Sequence, residues 1–226
     1  MAKKPYLSVC IPTHDMEGKQ YFLKRCLDSL WDQTFQDFEI IITDNSEDYE
    51  IEKICDWYRT GIRYIRNPKK GMAPNTNEGI KNAKGHLIKI LYMDDYLAHK
   101  KALEEIVANF KGHWLVTACR HTTDGETFFN THLASYNDSI HTGQNTIGSP
   151  SVLTVLNKNP LLFDEEMTWL LDCDLYKRYH DKYGDPVVLD DANVIIGVGE
   201  HQMTFTMGDD RKAKEYEYIT KKYAEQ

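Results

Sequence analysis

Apolar and amphipathic stretches alternate along the first half of the chain. Two short runs, 6–11 (YLSVCI) and 38–43 (FEIIIT), are continuously apolar, as strands covered on both faces of a parallel sheet are. Between them, apolar side chains recur at helical spacing, namely Phe22, Leu23, Cys26, Leu27, Leu30 and Trp31. This strand, helix, strand unit predicts a parallel sheet with helices on both sides and a right-handed crossover.

The alternation of helices and strands continues to about residue 118. The same patterns predict a helix at 51–58, a strand at 62–66, a helix at 76–83, a strand at 87–92, a helix at 99–110 and a strand at 113–118. This order of elements is typical of an α/β fold with a doubly wound, mostly parallel sheet. Ligands of such folds bind at the carboxyl ends of the strands, so functional residues are expected there.

The pattern changes beyond residue 120. Short polar and aromatic pieces at 120–160 predict hairpins and loops, which we interpret as a smaller mixed region. The later elements are predicted as a helix at 172–183, a strand at 193–198 and a charged helix at 210–226. Because the last helix has apolar residues on one side, we expect it to dock on the body or on a partner.

The 226 residues suffice for one large domain, 1–226, with a first half at 1–98 and a second half at 99–226. Hydrophobic residues make up 41% of the chain, and no apolar run approaches the roughly 18 residues of a membrane span. Pro12 interrupts the short apolar stretch near the start, so no signal peptide is expected and the cytoplasm is the predicted location.

Charge and cysteine content argue against two classes of function. The net charge of -8 disfavours a duplex nucleic acid partner, because phosphate binding relies on a basic surface. The five cysteines are an odd number without close spacing, which indicates neither a disulfide framework nor a thiolate zinc site.

Polar clusters follow three of the predicted strands. Strand one leads into 12–15 (PTHD), strand two into 44–46 (DNS), and the strand at 87–92 into Asp94 and Asp95. A divalent cation can keep two neighbouring carboxylates ionised, and hard oxygen ligands favour Mg²⁺ or Mn²⁺, which bind pyrophosphate. Adjacent acids are also common as helix caps or turn residues, and this alternative stays open.

Several segments together resemble family 2 glycosyltransferases with the GT-A fold. The resemblance is carried by 8–13 (SVCIPT), 27–34 (LDSLWDQT), 37–46 (DFEIIITDNS), 77–85 (NEGIKNAKG) and 92–95 (YMDD), the last at the position of a DxD-type motif. The resemblance implies a GT-A domain whose first half binds a nucleotide sugar and whose second half faces the acceptor.

The resemblance also implies roles for residues of the first half. The nucleotide-sugar-binding positions are Pro12, Thr13, His14, Asp44, Asn77 and Asp94. Of these, Asp44 is expected to accept a hydrogen bond from a uracil-like N–H, unless it caps a helix starting near Ser46. Asp94 is expected on the ribose hydroxyl, and Asp95 on Mn²⁺ or Mg²⁺ bridging the diphosphate.

In the second half, the segment 169–179 (WLLDCDLYKRY) is similar to the family's acidic motif. The resemblance makes Asp172 the general base of an inverting transfer, with Asp174 serving acceptor binding or helix capping. His201 matches the segment in which related enzymes place a histidine near the metal. A surface histidine without a ligand is the alternative.

The expected activity is transfer of one sugar from a nucleotide diphosphate sugar, a UDP sugar above all, to a hydroxyl of a carbohydrate or other acceptor. Two positions depart from the family pattern: Thr76 stands where many members have arginine, and Tyr92 replaces the first acid of the longer acidic motif. The missing arginine puts donor affinity in doubt, with Lys69, Lys70 and Lys81 as candidates for compensation. A retaining transferase and an inactive nucleotide- or carbohydrate-binding module remain alternatives, as do a location at the membrane surface and a homo-oligomer.

Overall fold

The computed structural model describes residues 3–14, 18–58 and 61–224. Its strands are β1 (Leu7–Thr13), β2 (Phe38–Asp44), β3 (Ile62–Arg66), β4 (Leu87–Ile90), β5 (Tyr96–Leu97), β6 (Trp114–Thr122), β7 (Phe129–His132), β8 (Leu153–Leu156) and β9 (Val187–Gly197). Its helices are α1 (Tyr21–Trp31), α2 (Glu50–Trp57), α3 (Met72–Asn82), α4 (Ala102–Asn109), α5 (Leu171–Tyr183), α6 (Met203–Thr206) and α7 (Asp209–Ala224).

Within the described ranges, nine strands form one sheet that runs through both halves of the chain. The order along the sheet is β3-β2-β1-β4-β8-β6-β9-β5, and β7 pairs with β6. Strands β1 to β4 are parallel to their neighbours in the first half, whereas β8 runs antiparallel to both β4 and β6. The α/β fold with a parallel first half and a mixed second half is therefore confirmed.

The first half follows the predicted pattern because its central strands, β1 and β4, are buried on both faces. Every residue of β1 is buried, and α3 packs against β1 and β2. Gly79 allows this close approach, since a Cβ atom there would lie 3.2 Å from the Cβ atom of Cys10. The register pairs Thr13 with Asp44, so the polar residues that end the first two strands lie side by side.

Two element boundaries differ from the prediction. Helix α3 begins at Met72 rather than at residue 76, because Pro74 lies in its first turn, where backbone N–H groups have no partner within the helix. Strand β4 ends at Ile90 rather than at Tyr92. The backbone N–H of Tyr92 instead donates to the side chain of Ser151, at 2.8 Å.

The second half contains a hairpin, as predicted, and a strand that the prediction did not specify. The hairpin is the antiparallel pair of β6 and β7. Strand β8 lies within the 120–160 region and joins the two halves of the sheet by pairing with β4 and β6. Strand β9 begins six residues before the predicted 193–198 run, at Val187, and pairs in parallel with β6 through a shifted register.

Helix α7 docks on the body, and one of its contacts is a buried carboxylate. Glu215 accepts hydrogen bonds from the backbone N–H groups of Thr168, Trp169 and Leu170, at 2.8, 2.8 and 3.0 Å, directly before α5. Residues 225 and 226 of the predicted helix lie outside the described residues. Among the described helices, none combines the length and the apolar composition needed to cross a bilayer.

Candidate active site

A cavity of about 590 Å³ lies at the carboxyl ends of β1 and β4, between the two halves of the chain. Six of the residues singled out from the sequence line it: Pro12, His14, Asp94, Asp95, Asp172 and His201. Three others, Thr13, Asp44 and Asn77, are buried behind the lining residues. Asp15, part of the polar cluster after strand one, lies outside the described residues.

Asp44 is fully buried, and its carboxylate is bound by the protein itself. Its oxygens accept from the Ser46 backbone N–H at 2.9 Å and from the Tyr64 hydroxyl at 2.7 Å, and the Arg66 guanidinium lies 3.6 Å away. The alternative that Asp44 caps a helix near Ser46 is wrong, because α2 begins at Glu50, whose N–H is bound by Asp48. Asp44 thus fixes the end of β2 below the cavity.

Two cavity-lining amides hold the strand ends in place. Asn75 donates to the carbonyl oxygens of Thr13 and Thr43, at 2.8 and 2.9 Å, and so joins the ends of β1 and β2 to α3. Asn45 donates to the Asn67 carbonyl at 2.8 Å and accepts from the Gly71 N–H at 3.1 Å. Asn75 could not be singled out from the sequence, because the two carbonyl groups that it binds lie 62 and 32 residues away in the chain.

Asn77 contacts the second half of the chain rather than the cavity. Its side chain exchanges hydrogen bonds with the backbone of Phe163, at 2.8 and 2.9 Å, and donates to Glu165 at 3.0 Å. Lys69 and Lys81 also pair with Glu165. Of the three lysines named as substitutes for the missing arginine, Lys70 lines the cavity.

The adjacent carboxylates Asp94 and Asp95 occupy different environments. The Asp94 side chain is 19% exposed, and its Oδ2 lies 3.1 Å from His201 Nε2. Asp95 is 2% exposed, and its two oxygens accept from the Gly197 N–H at 2.8 Å and from the Ser149 hydroxyl at 3.3 Å. Burial, and then the charge of Asp94, raises the pKa of Asp95 well above its ordinary value.

Asp94 and His201 together offer one carboxylate oxygen and one imidazole nitrogen on the cavity wall. Within the described ranges, no group of three or more His, Cys, Asp or Glu side chains is arranged to hold a metal ion. A two-donor face still fits Mn²⁺ or Mg²⁺, because such ions in nucleotide sites take their remaining ligands from phosphate oxygens and water. The resemblance implied Asp95 and His201 as metal ligands. The burial of Asp95 and its bonds to Gly197 and Ser149 favour Asp94 in place of Asp95.

Asp172 is the second residue of α5 and faces the same cavity. Its Oδ1 accepts from the Cys173 N–H and its Oδ2 from the Asn145 amide, both at 2.8 Å. Burial raises the pKa of Asp172 to about 6, although the hydrogen bonds from Cys173 and Asn145 act in the opposite direction. A carboxyl with this pKa can accept a proton at neutral pH.

Asp174 lies on a different side of α5 and is fully buried. Its carboxylate pairs with Arg178 and Lys222, each at 2.6 Å, and accepts from the Tyr223 hydroxyl at 2.9 Å. This ion cluster connects α5 to α7, so the geometry gives Asp174 a structural role rather than a place at the acceptor.

Comparisons with known proteins agree on one family. A family model described as Glycosyl transferase family 2 matches residues 8–178. The chain is 34% identical over 96 residues to chondroitin synthase of Pasteurella multocida, a match that covers 41% of this chain and 10% of that enzyme. The aligned part covers less than a third of the length of each of the curated relatives compared.

Two solved structures share the fold. TarS 1-349 of S. aureus in complex with UDP-GlcNAc superposes with a TM-score of 0.71 at 18% identity, covering 94% of this chain and 65% of that chain. The mannosyltransferase PcManGT of Pyrobaculum calidifontis, in complex with GDP-Man and Mn²⁺, gives a TM-score of 0.69 at 14% identity and covers 100% of this chain and 66% of that chain. At these identities the likeness shows a common fold.

Proposed function

Because this chain belongs to glycosyl transferase family 2, we propose that it transfers one sugar from a nucleotide diphosphate sugar to an acceptor hydroxyl, with inversion at the anomeric carbon. The observation that carries the proposal is one cavity lined by the Asp94–His201 pair and by Asp172, a carboxyl whose pKa is about 6. The Asp94–His201 pair suits a diphosphate and its cation, and Asp172 suits proton abstraction.

The nucleotide is proposed to bind beside Pro12 and His14, at the end of β1. Thr13 and Asp44 support this end from below, since the Thr13 hydroxyl donates to Asp44 at 3.3 Å. Asn77 fixes α3 against the second half of the chain and thereby shapes the donor side of the cavity. The two structural neighbours were solved with a uridine and a guanosine nucleotide, and we propose a UDP sugar as the first donor to test.

Asp94 and His201 would hold the divalent cation, which neutralises charge on the departing diphosphate when it is bound. Asp95 supports Asp94 from behind, because its carboxylate connects the turn after β4 to Gly197 and to Ser149. The Arg25 guanidinium adds a second support, since it donates to the Asp94 carbonyl oxygen at 2.9 Å.

Asp172 is proposed as the general base. As the acceptor oxygen forms its bond to the anomeric carbon, the bond from that carbon to the diphosphate oxygen breaks, and the hydroxyl proton passes to a carboxylate oxygen of Asp172. The attack is on the face opposite the leaving group, which inverts the configuration.

The proposed function is tested by supplying UDP, GDP, dTDP and CMP sugars with Mn²⁺ and a panel of sugar acceptors, and by recording the anomeric configuration of the product by NMR. An inverted product from a UDP sugar is expected. A retained configuration would contradict the role of Asp172. Tight manganese-dependent nucleotide binding without any turnover or donor hydrolysis would instead identify a binding module.

The rate of transfer is expected to depend on pH through Asp172. Its pKa is raised to about 6, and the base is active only when ionised. The value of kcat/KM should therefore fall about tenfold per pH unit below this pKa and reach a plateau above it. A profile measured from pH 5 to 8 checks this, with an Asp172→Asn variant as the control in which this acid limb is absent.

The Trp169 ring is proposed to bind the acceptor. It lines the cavity three residues before Asp172, and its orientation is fixed by the Lys212 ammonium, 5.5 Å from the ring centroid, and by the Tyr216 ring at 5.4 Å. A pyranose can bury its apolar face on such a ring.

Substituting Trp169 by alanine is expected to raise the acceptor KM about tenfold with little change in donor affinity, because about 1.4 kcal/mol of burial is lost. Steady-state kinetics with varied acceptor measures the effect. Trp57→Ala is the matched control, because Trp57 is 75% exposed on α2 and lies away from the lining. Unchanged acceptor KM in Trp169→Ala would remove this ring from the acceptor site.

A further inference from the structure

Residues 145–151 form a bridging segment that contacts both carboxylate groups of the cavity. At one end, the Asn145 amide donates to Asp172 Oδ2 at 2.8 Å. At the other end, the Ser149 hydroxyl donates to Asp95 Oδ2 at 3.3 Å, and Ser151 accepts from the backbone N–H of Tyr92, just before the carboxylate pair. A stretch of seven residues thus joins the proposed base to the proposed diphosphate side.

The bridging segment is held in one conformation by its own hydrogen bonds. Asn145 Oδ1 accepts from the backbone N–H groups of Ile147 and Gly148, at 3.1 and 2.9 Å, and the Asn145 Nδ2 also donates to the Gly148 carbonyl at 3.1 Å. Because two N–H donors face Oδ1, the NH₂ group must be the side that faces Asp172. Gly148 has a φ of 116°, which favours glycine at this point of the turn.

Helix α5 and strand β4 hold the same segment from both sides. The Tyr176 hydroxyl, one turn after Asp172, contacts the carbonyl oxygens of Gly148 and Ser149 at 3.1 and 3.2 Å. The buried Lys89 ammonium, on β4, donates to the Ser151 carbonyl. The segment is therefore fixed to the element that carries the base and to the strand that precedes the carboxylate pair.

We infer that the bridging segment sets the position of the base relative to the Asp94–Asp95 pair, and that Asn145 is the positioning residue that orients the Asp172 carboxylate. This inference rests on the proposed role of Asp172. An inverting transfer needs the base on the acceptor side at a defined distance from the breaking bond, and small displacements of such groups are costly. Asn145 holds one carboxylate oxygen, while the Cys173 N–H holds the other.

Asn145 also acts on the charge of the base. An amide that donates to a carboxylate favours the ionised form, so its removal raises the pKa of that carboxyl. Among the described residues, the titratable groups next to Asp172 include Tyr92, which follows β4, and Cys173 and Tyr176 on α5. Burial raises the pKa of all three above the ordinary values, so they stay neutral from pH 5 to 8, and their titration would not account for a shift seen in an Asn145 variant.

The test compares Asn145→Ala and Asn145→Asp with Asn137→Ala. Asn137 is the matched control because it bonds to Gln144 and Thr146 within the same loop region and makes no contact with Asp172 in the described ranges. In Asn145→Ala, the acid limb of the kcat profile should move to higher pH by about one unit. The value of kcat at pH 7 should fall about tenfold in total, about twofold from the smaller ionised fraction and the rest from the lost orientation of the carboxylate, with donor affinity within about twofold of the wild type. Asn145→Asp should shift the limb further, because it places a second carboxyl against Asp172. Asn137→Ala should leave the profile unchanged.

A direct NMR titration of ¹³C-labelled aspartate carboxyls, assigned with Asp172→Asn, measures the same shift without turnover and shows whether each variant is folded. A pKa of Asp172 that is unchanged in both Asn145 variants overturns the inference, even if kcat falls. Normal transfer by Asp172→Asn would instead refute the proposed base. The two outcomes can be told apart, because the titration of the Asn145 variants does not depend on transfer.

Discussion

Asp172→Asn is expected to reduce the rate of sugar transfer by a factor of about 100 to 10,000, the usual contribution of a general base. An asparagine side chain cannot take the acceptor proton at neutral pH. Its carbonyl oxygen can still accept from the Cys173 N–H, so the start of α5 should be preserved. Donor affinity should be nearly unchanged, because the base contacts the acceptor. Single-turnover rates and calorimetry with UDP measure the two quantities.

Asp174→Asn is the matched control for this prediction, since it changes the same kind of side chain two residues away. Its carboxylate pairs with Arg178 and Lys222, so the variant should lose thermal stability rather than catalytic rate per folded molecule. Near-normal transfer by Asp172→Asn would contradict the proposed base and would favour a mechanism with retention, which needs no such group.

The first half of the fold could be predicted because its signals are local. Strands β1 and β2 are continuous apolar runs, and α1 between them has apolar residues at helical spacing, so neighbouring residues alone indicate the elements. Strand β8 was not predicted, although 152–156 (VLTVL) is a short apolar run, because the polar residues around it favoured loops and its partners β4 and β6 lie far away in the sequence. Pairing with distant strands made it part of the sheet.

The site was predicted in outline and not in detail. The carboxyl ends of parallel strands meet at one edge, as expected, which places His14 and Asp94 on one cavity, and Asp172 on α5 lines the same cavity. Both adjacent acids line the cavity, but which of them is the more exposed is decided by partners that the local sequence does not show. Gly197 and Ser149, 102 and 54 residues away from Asp95, bind that carboxylate and leave Asp94 on the surface of the cavity.

The contact of Asn145 with Asp172 is a second feature that the local sequence does not show. The segment around it is rich in Asn, Thr, Gly and Ser, a composition typical of loops. Its contact with Asp172 depends on a turn built from its own Oδ1 and two backbone N–H groups, and on the docking of that turn against α5. Neither feature can be recognised from residue types alone, so the resemblance indicated the proposed base but not the residue that we infer orients it.

Asp94→Ala is expected to abolish the manganese-dependent part of UDP binding, with a loss of affinity of about 100-fold or more in the presence of Mn²⁺. The proposed metal-binding face consists of Asp94 and His201. Among the described residues of this face, Asp94 is the only oxygen donor, and the variant removes it. The described contact of the Asp94 carboxylate is with the His201 ring, whereas the Asp95 carboxylate binds Gly197 and Ser149, so thermal stability without metal should fall less in Asp94→Ala than in Asp95→Ala. Calorimetry with and without Mn²⁺, together with thermal unfolding, measures both effects.

Asp95→Ala is the control that separates metal binding from support. It leaves the buried N–H of Gly197 and the hydroxyl of Ser149 without their acceptor, at about 1 to 3 kcal/mol each, and about 2 to 4 °C of Tm is lost for each kcal/mol. The two variants should therefore differ in kind. Asp94→Ala should be stable, but its UDP affinity should not respond to Mn²⁺. Asp95→Ala should be destabilised even without metal. If Asp94→Ala keeps the wild-type response to Mn²⁺ while Asp95→Ala is stable and loses it, the cation belongs to Asp95 and the assignment from the sequence is correct. That result would require the Asp95 carboxylate to leave Gly197 and Ser149 when the nucleotide binds.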